Sequence, residues 1–148
     1  MSHQTVHGSC HCKSIKYTLA LPATLLANPT ATRCNCTICQ KGGFTALHTP
    51  PSAFTLLTPA SLSDIPDYQS AVKTMHLRFC DKCGVQVVRE GIYELEGQRH
   101  EVFTVNLLTI DQPQEGIELS EFKIRYWDAL HDNFTAGVRD VPWSGGCV

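Results

Sequence analysis

The chain has 148 residues, 43% of them hydrophobic and 18% charged, with a formal charge of −2 and a pI near 6.4. These values fit a soluble globular chain and exclude a broad electrostatic attraction for phosphate backbones, so nucleic acid is not an expected partner. No apolar stretch approaches the roughly 20 residues that cross a bilayer, and a single domain over 1–148 is expected.

The N-terminal residues Met1-Ser-His-Gln-Thr-Val-His-Gly8 show neither the basic start nor the apolar run of a signal peptide. Ile15, Tyr17 and Leu19 alternate with polar neighbours, the period of a half-buried strand, which Leu21-Pro22 should end. Leu25 to Arg33 reads as a loop or short extended piece. After a cysteine cluster at Cys34, Gly42-Gly43 makes a turn and Phe44 to His48 resumes strand character until Pro50-Pro51. Phe54 to Leu57 is a further short strand, followed by a loop from Thr58 to Tyr68. Met75, Leu77 and Phe79 alternate along a strand that runs into Cys80, and Val85 to Arg89 forms the returning strand. The turn between them carries Cys80 and Cys83, with Gly84 supplying the positive φ of a zinc knuckle. Val102 to Leu107 is another strand. Glu121 to His131 is ambiguous between strand and helical turn, and the tail from Val141 is irregular. The architecture expected is mainly β, short antiparallel strands with long loops, fastened by metal.

Seven of the eight cysteines fall into three clusters, Cys10/Cys12, Cys34/Cys36/Cys39 and Cys80/Cys83. Thiolates two or three residues apart on one tight bend can reach a single tetrahedral ion, as zinc prefers. A pair joined to a pair gives a closed four-thiolate site, and the triplet gives a three-thiolate site with one position free. Spacing alone leaves open which clusters share an ion, since Cys10/Cys12 could also pair with Cys34/Cys36. Disulfides are the competing explanation for an even cysteine count. Against them stand the metal-like spacings, the strain of bridging cysteines one residue apart, and a chain long enough to be stable without covalent staples. Reduced thiolates imply a reducing compartment, most simply the cytosol, with the nucleus equally open.

Gly8-Ser-Cys10-His-Cys12, then Cys34-x-Cys36-x-x-Cys39-x-Lys41-x-Gly43, then Phe79-Cys80-x-x-Cys83-Gly84, resembles the family of glutathione-dependent formaldehyde-activating enzymes and centromere protein V relatives. The resemblance runs from about Gly8 to Trp127, a zinc domain of about residues 7–128 followed by an extension over 129–148. It implies an Mss4-like (β-tent) fold with two zinc ions per chain. By motif position, Cys10, Cys12, Cys80 and Cys83 are implied as structural zinc ligands, and Cys34, Cys36 and Cys39 as catalytic ones. Thr37 and Gln40 stand where family members often have Ser and Arg, which removes a charge that could hold a substrate carboxylate. The stretch from Tyr126 to Phe134 is similar to an extension found in fungal members.

The activity implied is that of a carbon–sulfur lyase joining a thiol such as glutathione to an aldehyde such as formaldehyde. Three thiolates make zinc a weak Lewis acid, better suited to holding a fourth thiol as thiolate than to making hydroxide. The alternatives are a non-catalytic zinc-stabilised binding module, and an enzyme of specialised metabolism using the same zinc on another substrate. Of seven histidines, His48 and His76 are best placed to move a proton, yet no residue is assigned as the catalytic base. His11 should point away from its flanking ligands. Cys147 reads as a free tail thiol or a fourth ligand to the Cys34 cluster. Tyr126 and Trp127 read as core more readily than as pocket, and Lys41 as solvated. Oligomeric state is not set by the sequence.

Overall fold

A computed structural model describes residues 2–70 and 73–147 of the chain. Segments whose apolar and polar residues alternate are strands, because successive side chains leave opposite faces of an extended backbone. Among the described residues these are β1 (His3–Ser9), β2 (Lys16–Pro22), β3 (Thr30–Cys34), β4 (Ala46–His48), β5 (Phe54–Thr58), β6 (Asp67–Tyr68), β7 (Met75–Phe79), β8 (Gln86–Leu95), β9 (Gln98–Asn106) and β10 (Lys123–Trp127). Two short helices, α1 (Ala23–Ala27) and α2 (Thr37–Gly42), interrupt them. A three-stranded sheet has the order β1-β2-β5, and a seven-stranded sheet the order β10-β3-β4-β9-β8-β7-β6. The fold is mainly β and Mss4-like. No helix among the described residues is long and apolar enough to cross a membrane.

Several local expectations are corrected. Residues 25–33 begin in helix α1, which was not expected, and then take the extended form as β3, held by β4 on one side and β10 on the other. Pairing from distant strands, not a local pattern, makes this segment extended. The Gly42-Gly43 turn is the end of helix α2, with Gly43 capping it at φ 64°. The sheets are not wholly antiparallel, since β10 runs parallel to β3 with Trp127 opposite Cys34. The ambiguous segment is strand over Lys123–Trp127, preceded by a short 3-10 turn at Leu119–Glu121. β1 was not expected, and β8 and β9 extend well past the predicted strands. They are joined through Glu96 and Gly97 at φ 54° and 76°, the double positive φ of a tight hairpin turn.

The two sheets share one apolar core. Phe54 of β5 stacks on Tyr17 of β2 at 4.9 Å between ring centres and tilts against Phe103 of β9 at 5.4 Å. Leu19, Val6, Val87 and Val105 are fully buried around them. Truncating such a side chain to Ala typically costs about 2–5 kcal/mol. Tyr17 is buried with its hydroxyl 2.7 Å from Thr109, so the polar end is satisfied. Gly8 lies opposite Tyr17 because any Cβ there would sit 2.1 Å from the tyrosine ring.

Candidate metal centres and the cavity beside them

Two knuckle turns face each other at one edge of the core. In the first, the Cys10 amide donates to the Ile15 carbonyl at 3.1 Å, and in the second the Cys80 amide donates to Val85 at 2.9 Å. Each bend needs a left-handed residue, Lys13 at φ 66° and Gly84 at φ 78°. Backbone amides then point at sulfur: Ile15 N–H lies 3.3 Å from Cys10 Sγ, and Lys82 N–H 3.4 Å from Cys80 Sγ. The sulfurs of Cys10, Cys12, Cys80 and Cys83 all lie within 4.8 Å of one another. Cys12 Sγ is 3.7 Å from Cys10 Sγ and 3.6 Å from Cys80 Sγ. A tetrahedron with zinc–sulfur bonds of about 2.3 Å has edges of about 3.8 Å, so the spacing fits zinc. Burial, chiefly, pushes the Cys10 thiol up to about 11, while Ser14 draws exposed Cys12 down to about 6. Such divided titration is what a cluster of like groups shows until a cation holds them all as thiolates.

The second cluster is built at the end of a strand. β3 delivers Cys34, the chain turns at Asn35, and Cys36 caps helix α2, whose first turn brings Cys39 back beneath it. The three sulfurs also lie within 4.8 Å of one another. Asn35 is buried, donates to Asp128 Oδ1 at 2.8 Å and accepts from Leu130 N–H at 2.8 Å. Asp128 also accepts from Asn133 at 3.3 Å and lies 2.7 Å from His131. Its burial raises its pKa, but these hydrogen bonds outweigh the burial and hold the carboxyl below its usual range. The network ties the bend between Cys34 and Cys36 to the chain after β10. Neighbouring Cys34 and Cys39 lower the Cys36 thiol, assisted by the positive charge of Arg89, while Cys36 in turn raises Cys34.

This second cluster forms part of the wall of a cavity of about 570 Å³. Arg89 of β8 reaches it, donating from Nη1 to Cys39 Sγ at 2.7 Å and lying 4.5 Å over the Phe44 ring. Its Nε and Nη2 are buried without a hydrogen-bond partner. His48 of β4 looks into the same space, 3.1 Å from the Thr32 hydroxyl; its side chain is open to solvent through the cavity, and partial desolvation by the surrounding protein lowers its pKa. The shift favours the neutral imidazole.

The other sequence candidates separate. His76 leaves the opposite face of β7 from Met75 and Leu77, which line the cavity, and it pairs with Asp67 at 2.6 Å. His11 and Lys41 are exposed. Trp127 lines the cavity instead of lying in the core, whereas Tyr126 binds the tail through Arg139 and Trp143. Cys147 is not a loose tail thiol. It is buried, with its sulfur donating to the Cys34 carbonyl at 3.2 Å, and it stands outside the three-sulfur group. Gln40 donates to the Gly145 carbonyl at 3.3 Å, fastening the same tail. Sequence reasoning missed Arg89, Asn35 and Asp128. The cation beside the cysteines comes from Arg89 of β8, not from the motif position that Gln40 fills.

The profile of the glutathione-dependent formaldehyde-activating enzymes matches residues 5–124. A crystal structure of a Rhodobacter sphaeroides protein superposes with a TM-score of 0.56, covering 74% of this chain and 91% of that one at 21% identity. At that identity the likeness speaks for the fold alone. No curated protein matches the chain.

Proposed function

The chain belongs to the glutathione-dependent formaldehyde-activating enzyme family, and from that premise we propose that it is a zinc-dependent carbon–sulfur lyase making and breaking thiol–aldehyde adducts. The observation that carries this reading is the asymmetry of the two clusters: four sulfurs enclose one candidate site, while three line a cavity of about 570 Å³ at the other. Cys10, Cys12, Cys80 and Cys83 would hold a structural zinc, and Cys34, Cys36 and Cys39 a zinc with one position left for substrate. Zinc bound by the three thiolates supplies a site that keeps an incoming thiol deprotonated and still nucleophilic.

The rest is done by the chain. In the forward direction the substrate sulfur forms a bond to the carbonyl carbon, the C=O π pair moves onto oxygen, and a proton is delivered there. His48, neutral and in the cavity, takes the thiol proton and returns it to that oxygen. Arg89 offsets part of the negative charge on Cys39 and so on the three-thiolate set. The Asn35–Asp128 network fixes the bend that aims Cys34 and Cys36. The same steps reversed break the bond.

Zinc content and NMR exchange spectroscopy on formaldehyde–thiol mixtures test this together. Two zinc ions per chain and enzyme-dependent exchange between free and adduct formaldehyde are expected, with both the exchange and one zinc lost in Cys36→Ala. Normal exchange in that variant would refute the assignment.

A further inference from the structure

We propose that the ligand of this cavity is an uncharged, largely apolar organosulfur compound carrying a ring system, and not a glutathione adduct. The inference rests on the lyase reading for its sulfur chemistry, and on the cavity for everything else.

Among the described residues that line the cavity, Arg89 carries the only full charge and there is no carboxylate. Arg89 is already engaged, with one nitrogen on Cys39 and its plane on Phe44. Its charge also balances the excess negative charge that three thiolates place on a zinc ion, so the site as a whole is close to neutral. Glutathione brings two carboxylates and an ammonium group. Each would need a partner or open water, and no lining acidic group or second cation supplies one. Lys41, the nearest basic residue in the cysteine motif, is exposed and lies outside the lining.

The walls are complementary to something else. Ile38, Phe44, Met75, Leu77 and Val102 contribute apolar surface. Trp127 and Phe134 also line it, their rings 6.3 Å apart and tilted, and aromatic side chains of this kind suit a planar guest. Tyr93, Leu95 and Phe134 are 38%, 36% and 39% exposed, large apolar side chains left partly in water. All three lie on this one cavity, so a ligand seated there would cover them. A volume of about 570 Å³ admits a bicyclic or larger skeleton.

Part of the aromatic wall comes from the segment beyond the family match. Trp127, Ala129 and Phe134 come after residue 124, where the family match ends. They are anchored to the metal-binding bend by Asn35 and Asp128. Ligand choice is thus set by a segment that docks onto the shared cysteine scaffold.

The test uses the zinc-loaded full chain and three thiols of ordinary alkyl-thiol acidity: naphthalen-2-ylmethanethiol, 2-mercaptoethanol and glutathione. Calorimetric titration gives affinities, and formaldehyde exchange by NMR gives turnover. The naphthyl thiol should bind at least tenfold more tightly than glutathione, with 2-mercaptoethanol weaker than the naphthyl compound. Phe134→Ala, at a partly exposed position, should shrink the naphthyl advantage about tenfold, and Trp127→Ala by as much or more. Equal or tighter binding of glutathione, binding of none of the three, or an advantage unmoved in both variants overturns the inference. A naphthyl preference without formaldehyde exchange by any thiol removes the lyase reading and keeps the ligand class. Rapid exchange with glutathione at equal affinity does the reverse.

Discussion

The two cysteine clusters are made of the same side chain and differ in what encloses them. At Cys10, Cys12, Cys80 and Cys83, two matching knuckles meet, and four sulfurs leave no corner for a guest. At Cys34, Cys36 and Cys39 there is one strand end, one helical turn and three sulfurs, with a guanidinium, an imidazole and an apolar cavity beside them. A closed set can only hold the chain together, whereas an incomplete set beside a cavity can do chemistry. On the function proposed above, ligand count and surroundings, not ligand type, would divide scaffold from reaction site.

The largest effect should come from breaking the closed cluster. Cys12 and Cys80 are 68 residues apart, so a metal there closes a long loop, and structural zinc in small domains contributes about 10–16 kcal/mol at neutral pH. Cys80→Ser is expected to abolish cooperative folding, seen as loss of a thermal transition in circular dichroism. A variant that melts like the parent would erase the distinction between the clusters. Cys36→Ala comes next: it should remove all turnover and one of two zinc ions while its melting temperature falls by only a few degrees. Wholesale unfolding of that variant would make both clusters structural.

Smaller effects sharpen the picture of the open site. His48→Gln should slow exchange about 100-fold, the usual range for a lost proton carrier, with zinc content unchanged. An unaltered rate would leave the substrate and solvent to move the proton. Arg89→Met should divide activity from stability. Two of the guanidinium nitrogens are buried without partners, a cost of about 1–3 kcal/mol each, so the variant should be no less stable than the parent while turnover falls about tenfold. A less stable variant with full turnover would make Arg89 a packing residue.

What the sequence discloses and what it withholds follow the same division. Chelation needs ligands close together on tight bends, so the spacings of Cys10/Cys12, Cys34/Cys36/Cys39 and Cys80/Cys83 and the positive φ of Gly84 can be read directly. The strands with clear alternation, β2 and β7 among them, are legible for a similar reason. The surroundings of the open cluster are not local. Arg89 reaches Cys39 across 50 residues and Asn35 reaches Asp128 across 93, contacts set by sheet register and by the parallel pairing of β10 with β3. Nothing in the immediate neighbourhood of Arg89 distinguishes it from any other arginine on an exposed strand. For the same reason Trp127 reads as core in isolation and proves to be wall, and Cys147 reads as a loose end and proves to be buried.

Diffraction from the zinc-reconstituted protein on both sides of the zinc absorption edge tests the central contrast most directly. Two anomalous peaks are predicted, one bonded to Cys10, Cys12, Cys80 and Cys83, the other to Cys34, Cys36 and Cys39 with its fourth ligand supplied from solvent or an added thiol. A single peak, or a second ion whose fourth bond comes from this chain's own side chains, would contradict the account.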